Sequence, residues 1–288
     1  MTGMIWEGAD ASLWDLQHGP VRLIWIRGLG KVKTEEQRRE TALTDGQTLL
    51  GVRRVARTVL LGVEVNPGLP KAQWAAWDRA WWKSLDAEIP GTLHVTDEFG
   101  EVRHIALRFV DDGDIEFDRD PAIVGITSAV VEMVADDPWF LGDVVRYEVE
   151  PPPPPMDFFG PDGVGPPFYV ESSTTTDATI IANPGDADAW PVWEQFGPST
   201  ALSVNVNGRI LSGSIDVPEG ARLEIDTRPN RKTARLYSAD GSWQDVFREL
   251  DTFNFERIPK GQAVPVEIVG TGTGSIMLSF TPMYERGI

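Results

Sequence analysis

Five consecutive prolines at positions 151–155 divide this chain more firmly than any other feature of it. A proline nitrogen has no hydrogen to donate and its ring fixes φ, so such a run fits neither a helix interior nor a sheet and settles into polyproline II. Gly160-Pro161 and Gly165-Pro166-Pro167 continue it, and the whole segment reads as a semi-rigid spacer. The expected organisation is a domain over 1–150, a linker over 151–169 and a second domain over 170–288. Each domain is long enough to bury a core of its own.

The first domain reads as mainly β with one prominent helix. Positions 21–27 form a β-rich run bounded by Gly19-Pro20 and Gly28, and 52–65 supply another. Positions 92–96 and 102–109, separated by Asp97-Glu98-Phe99-Gly100, read as a hairpin, and 123–134 as a further strand. The helix is expected over 71–85, opened by Pro70 and closed before Pro90-Gly91. Trp74, Trp77, Trp81 and Leu85 recur at one helical face and point to core packing against the domain's own sheet. Trp82 lies off that stripe and is the candidate for a contact between subunits.

The second domain reads as all β. Short apolar pieces at 179–181, 192–196, 202–206, 210–211, 222–225, 234–237, 263–269 and 275–280 are separated by turn residues such as Asn207-Gly208, Asp240-Gly241 and Lys260-Gly261. That spacing is the mark of an antiparallel sandwich.

Composition removes most chemistries. There are no cysteines, hence no disulfides, thiolate metal sites or cysteine nucleophiles. No apolar run approaches the length of a membrane helix, and the opening residues lack the basic lead and apolar core of a signal peptide. Neither membrane insertion nor general secretory export is expected. A net charge of −18 argues against direct nucleic-acid binding. His18, His94 and His104 are the only histidines. The last two can meet across the hairpin, but no metal-ligand spacing, nucleophile elbow or phosphate loop is present. No catalytic residue and no cofactor is expected.

The charge is unevenly spread. Positions 22–57 hold nine basic and four acidic residues, whereas 86–120 hold three basic and eleven acidic. Within the second stretch Asp112, Asp114, Glu116, Asp118 and Asp120 recur every second residue, which in a strand would set all five on one face. A solvated face is one reading. The sharper one is a head-to-tail contact between subunits, since a heterologous interface needs two different complementary patches. Arg53, Arg54, Arg57, Asp112, Asp114, Glu116 and Asp118 are then the candidate interface residues, with Trp82.

Ordered short motifs add a resemblance. Asp136-Asp137-Pro138-Trp139-Phe140 closes the first domain, and Asn183-Pro184-Gly185 precedes Trp190-Pro191-Val192-Trp193. Ile225-Asp226-Thr227-Arg228-Pro229 and then Leu278-Ser279-Phe280-Thr281-Pro282-Met283-Tyr284 follow. In this order they resemble the distal tail proteins of long-tailed phages, the Dit-like minor tail proteins of the actinobacteriophage type. The residues themselves read as fold-defining, with Asp226 and Arg228 as an ion pair inside the domain.

The resemblance implies an N-terminal belt domain that forms a six-fold ring and a C-terminal galectin-like sandwich. It implies a structural, non-enzymatic virion protein at the distal end of the tail, with itself, the tail tube protein and tip or baseplate hub proteins as partners. A carbohydrate-binding module that meets host glycan is the alternative; Trp243 and Tyr237 read equally as stacking residues for a sugar and as core. An envelope-degrading hydrolase is the reading with least sequence support.

Overall fold

A computed structural model describes residues 3–40, 45–113, 115, 117, 119–149 and 174–288. They fall into two compact units, Met1–Asp143 with Met283–Ile288, and Val144–Pro282.

In the first unit the chain runs β1 (Gly3–Glu7), β2 (Leu13–Asp15), β3 (Val21–Arg27), β4 (Thr34–Glu40), β5 (Gln47–Arg54), β6 (Arg57–Val65) and α1 (Trp74–Lys83). It continues through β7 (Gly91–Thr96), β8 (Val102–Asp111), α2 (Pro121–Val124), β9 (Thr127–Ala135) and β10 (Phe140–Leu141). The strands follow one antiparallel path, β2-β1-β7-β8-β9-β6-β3. β8 serves both halves of it: Val102 to Leu107 pair with β7, and Arg108, Phe109 and Asp111 pair with β9 across a register shift. Strict alternation along β9 sends Thr127, Ala129, Val131, Met133 and Ala135 inward. Helix α1, preceded by a 3-10 turn at Lys71–Gln73, supplies Trp81 to the core, edge-on to Trp14 at 5.6 Å and 84°. The Trp74 indole N–H donates to Thr127 Oγ1 at 2.7 Å, which ties the helix to β9.

Two expectations in this unit need correction. The strand expected over 123–134 is two elements, because Pro121 at the first helical turn and the Asp120 carboxylate accepting from the Ala122 N–H start the short helix α2. Gly125, at φ 81°, ends it before β9. Of the row of alternating carboxylates, the two described members, Asp112 and Asp120, do not lie in a strand. β8 stops at Asp111 and Asp120 is a helix cap, while Asp114, Glu116 and Asp118 lie outside the described residues.

The second unit contains β11 (Val145–Val149), β12 (Thr174–Ala182), β13 (Val192–Phe196), β14 (Ser199–Val206), β15 (Arg209–Gly213) and β16 (Arg222–Asp226). β17 (Thr233–Tyr237), β18 (Trp243–Asp245), β19 (Leu250–Phe253), β20 (Ala263–Gly272) and β21 (Ile276–Phe280) complete it. They make a six-stranded sheet, β11-β21-β13-β16-β17-β18, and a five-stranded one, β12-β20-β14-β15-β19. One core, with Trp193, Leu223, Ile225 and Leu278 from the first sheet and Val204, Val266 and Ile268 from the second, joins them as a sandwich. The expected antiparallel sandwich is therefore the observed one, and the chain is mainly β throughout.

The proline run lies outside the described residues, but the strands on either side of it, β11 and β12, both belong to the second unit. The division at 1–150 and 170–288 accordingly shifts: the first crossing is at Asp143, ahead of the prolines. The chain then crosses back, and β22 (Met283–Tyr284) pairs with β10 in the first unit, Phe140 opposite Tyr284 and Leu141 opposite Met283.

Candidate assembly interface

Strands β4 and β5 pair only with each other among the described residues, and every position of β4 is exposed. The sequence of β4, Thr-Glu-Glu-Gln-Arg-Arg-Glu, has no apolar face to bury, so the hairpin stands off the first unit's core. Its pairing is helped by Arg38, which bonds Glu36 and reaches Gln47 Oε1 at 3.3 Å. β5 nevertheless carries Leu49, Leu50 and Val52, with Leu50 62% exposed. Three large apolar side chains on a solvent-facing hairpin are costly to leave in water and make it a candidate contact element.

The basic side chains at its root point the other way. Arg57 is only 5% exposed. Its Nε donates to the Pro138 carbonyl at 2.9 Å, Nη2 to the Glu285 carbonyl at 2.7 Å, and Nη1 to the carbonyls of Gly28 and Gly30. The guanidinium carbon lies 4.9 Å from the centre of the Phe140 ring. Burial pulls the Arg57 pKa below its ordinary value and the neighbouring Glu285 carboxylate opposes the shift. Arg54 stacks on Trp139 at 4.6 Å and bonds Glu285 Oε1 at 3.2 Å. Asp136 holds Arg108 by two 2.8 Å bonds that keep its own carboxyl below the usual range. The Asp-Asp-Pro-Trp-Phe motif is thus a receptor for the chain's own arginines.

Of the candidate interface residues, Arg57 is withdrawn on burial and Arg54 is half-buried in this cluster. Arg53 is exposed on the hairpin. Trp82 is partly buried and packs against the first unit's core. Asp112 lines an open pocket of about 420 Å³ with Ile24, Trp25, Gly62, Ile115 and Val130. The pocket floor exists because Gly62 has no side chain: a Cβ there would strike the Trp25 indole. Ile24, Trp25 and Val130 are all exposed. The first unit therefore carries two unlike surfaces, an exposed hairpin with apolar side chains beside Arg53 and an apolar pocket edged by a carboxylate.

The second unit's motifs are structural. Thr227 Oγ1 donates to the Pro191 carbonyl at 2.6 Å, joining the Asp-Thr-Arg strand end to the Trp-Pro-Val-Trp strand. Arg228 clamps Asp226 through Nε and Nη2, the closest approach being 2.5 Å. The Asn183 amide, fully buried, donates to the carbonyls of Ala187 and Ile258 and accepts from the Gly185 N–H. One face of each candidate stacking aromatic already carries a cation, Arg235 on Trp243 at 4.5 Å and Arg222 on Tyr237 at 4.8 Å. His94 and His104 do meet across their hairpin, ring centres 5.9 Å apart. Among the described residues no group of three or more metal-ligating side chains is positioned to hold an ion, and no helix is long and apolar enough to cross a membrane.

No protein-family model matches the chain and no curated protein matches it. Solved structures do. The Dit (gp 19.1) protein of phage SPP1, described as a paradigm of the hub adsorption apparatus in phages infecting Gram-positive hosts, aligns with a TM-score of 0.65 at 15% identity, covering 98% of each chain. A chain of the phage p2 baseplate in its activated conformation with strontium aligns at 0.52 and 12% identity, over 96% of this chain and 97% of that one. The calcium form aligns at 0.50 and 12%. Both units thus have the fold of a Dit-like tail protein, and the fold expectation drawn from the ordered motifs holds.

Proposed function

We propose that this protein is a structural virion protein of a long-tailed phage, forming a hub ring at the distal end of the tail that joins the tail tube to the tip or baseplate. The observation that carries this reading is the likeness to the SPP1 hub protein through 98% of both chains, since a shared order of both units is far more specific than a shared sandwich. It acts by assembly rather than turnover. Its partners are further copies of itself, six in the ring, with the tail tube protein on one side and tip or baseplate hub proteins on the other. The net charge of −18 suits a ring that encloses passing DNA without binding it.

The two unlike surfaces of the first unit supply the contact. The β4–β5 hairpin of one copy, with Leu49, Leu50, Val52 and Arg53, docks on the Trp25 and Asp112 face of the next. Apolar side chains fill the pocket and arginine meets the carboxylate. A head-to-tail contact of this kind closes into a ring when its rotation divides the circle.

A chain without cysteine allows a clean test. Chains carrying Arg53→Cys are mixed with chains carrying Asp112→Cys and oxidised. The proposal expects disulfide-linked pairs only in the mixture. Linkage within either single-variant sample would indicate a two-fold contact instead, and absence of linkage in the mixture would contradict the assigned surfaces.

A further inference from the structure

We infer that the segment Met283–Ile288 is a clasp that sets the direction in which the β4–β5 hairpin leaves the first unit, with Arg57 as its pin. An isolated two-stranded hairpin is marginally stable in water, and this one has no other strand partner among the described residues. Whatever fixes its direction must act at its root, where 28–33 lead into β4 and 55–56 lead out of β5.

The returning segment grips both sides of that root. The Glu285 carboxylate receives Arg54 from the end of β5 at 3.2 Å and Lys31 from the approach to β4 at 3.8 Å. Two residues on, the Gly287 N–H donates to the Leu29 carbonyl at 3.0 Å. Gly287 lies so close to Phe140 that an added Cβ would sit 2.8 Å from its ring. Arg57 then pins the assembly, holding Gly28 and Gly30 on the root, Pro138 beside β10 and Glu285 on the segment at once. Tilting the hairpin would break several charge-assisted bonds together, those of Arg57 in a place largely closed to water. The segment is secured in turn by β22 pairing with β10, by Arg103 stacked on Tyr284 at 4.0 Å, and by Arg103 donating to the Arg286 carbonyl at 3.0 Å.

A hairpin already held in place loses less conformational freedom when it docks, so the clasp favours assembly without touching the neighbouring copy. This consequence rests on the hub-ring reading; the clasp itself does not.

The test is hydrogen exchange of the full chain beside two variants, removal of residues 285–288, which spares the β10–β22 pairing, and the milder Glu285→Ala. The β6 and β9 amides serve as an internal reference for folding. The inference expects β4–β5 amides to exchange about tenfold faster in the truncated chain and about threefold faster in Glu285→Ala, with the reference unchanged. Should the truncated chain lose the reference protection, Glu285→Ala decides. Unchanged hairpin exchange, or a hairpin already exchanging at the free-peptide rate in the parent chain, would overturn the clasp. Measured separately by mass, the ring should need about tenfold more protein to form in the truncated chain. A parent chain that forms no ring would end the hub reading and leave the exchange result standing.

Discussion

The guanidinium of Arg57 meets the main-chain carbonyl of Glu285 at 2.7 Å across 228 residues of chain. Between the two in sequence lies the whole second unit, entered at Val144 and left at Pro282. One buried arginine therefore joins the start of β6 to the segment that follows the first unit's last strand, beside the Asp-Asp-Pro-Trp-Phe motif. The motif is preserved in the fold's logic as a cation receptor: Pro138 offers a carbonyl, Trp139 and Phe140 offer ring faces, and Asp136 offers a carboxylate to Arg108.

Replacing Arg57 by Met keeps much of the apolar stem and removes every donor. Four carbonyls lose a partner in a buried place, so the first unit should lose about 3 kcal/mol of stability, measured by urea denaturation with the exchange of β6 and β9 as the local readout. Arg57→Lys should recover only part of this, because an ammonium cannot fork to four acceptors. Equal stability of Arg57→Met and the parent would show that the cluster contributes nothing.

How much of this was legible in the sequence depends on what each residue had to reveal. The sandwich strands announced themselves: Val192 to Phe196 alternate between core and surface, and Asn207-Gly208 can hardly be anything but a turn. The pairing of Asp226 with Arg228 followed from their spacing. By contrast, β4 has no apolar residue, so no periodicity marks it, and the exposure of Leu49, Leu50 and Val52 on its partner strand is visible only in the fold. Arg57 looked like a surface charge because burial of an arginine is set by carbonyls distant in sequence, and no local pattern encodes them. The return of Met283 and Tyr284 to the first unit was hidden for the same reason. Two strands of two residues each carry almost no propensity.

The tryptophan helix should separate core from surface. Trp81 is fully buried against Trp14, and Trp81→Ala should cost about 3–5 kcal/mol of first-unit stability. Trp82 is only partly buried, and Trp82→Ala should cost about 1 kcal/mol. Denaturation of both variants checks the order. A larger loss for Trp82 would contradict the packing described.

His104 gives the first unit a pH dependence of known sign. Burial, and then the neighbouring His94, lower its pKa from the ordinary 6.5, with Asp143 opposing. The folded state therefore prefers neutral His104. Its contribution is fully present above the unfolded value of 6.5 and is lost as pH falls through the lower folded value. The first unit should lose stability as pH falls below the unfolded value of 6.5, and His104→Gln should flatten that loss relative to the parent. A parallel pair of curves would dismiss the role.

Leu50 is 62% exposed on the hairpin and belongs to neither core cluster. Leu50→Asp should leave the stability of the single chain within about 0.5 kcal/mol of the parent. It should raise the protein concentration needed for assembly by about tenfold or more, through a charge placed in an apolar contact. Light scattering beside thermal denaturation separates the two effects.

The measurement that bears most directly on the central claim is the mass and symmetry of the purified chain, by light scattering and negative-stain microscopy over a concentration series. A hub protein should give six times the 31.8 kDa chain mass and a closed six-fold ring with a central hole. A mass that stays at 31.8 kDa through the whole series, with no ring in the images, would contradict it.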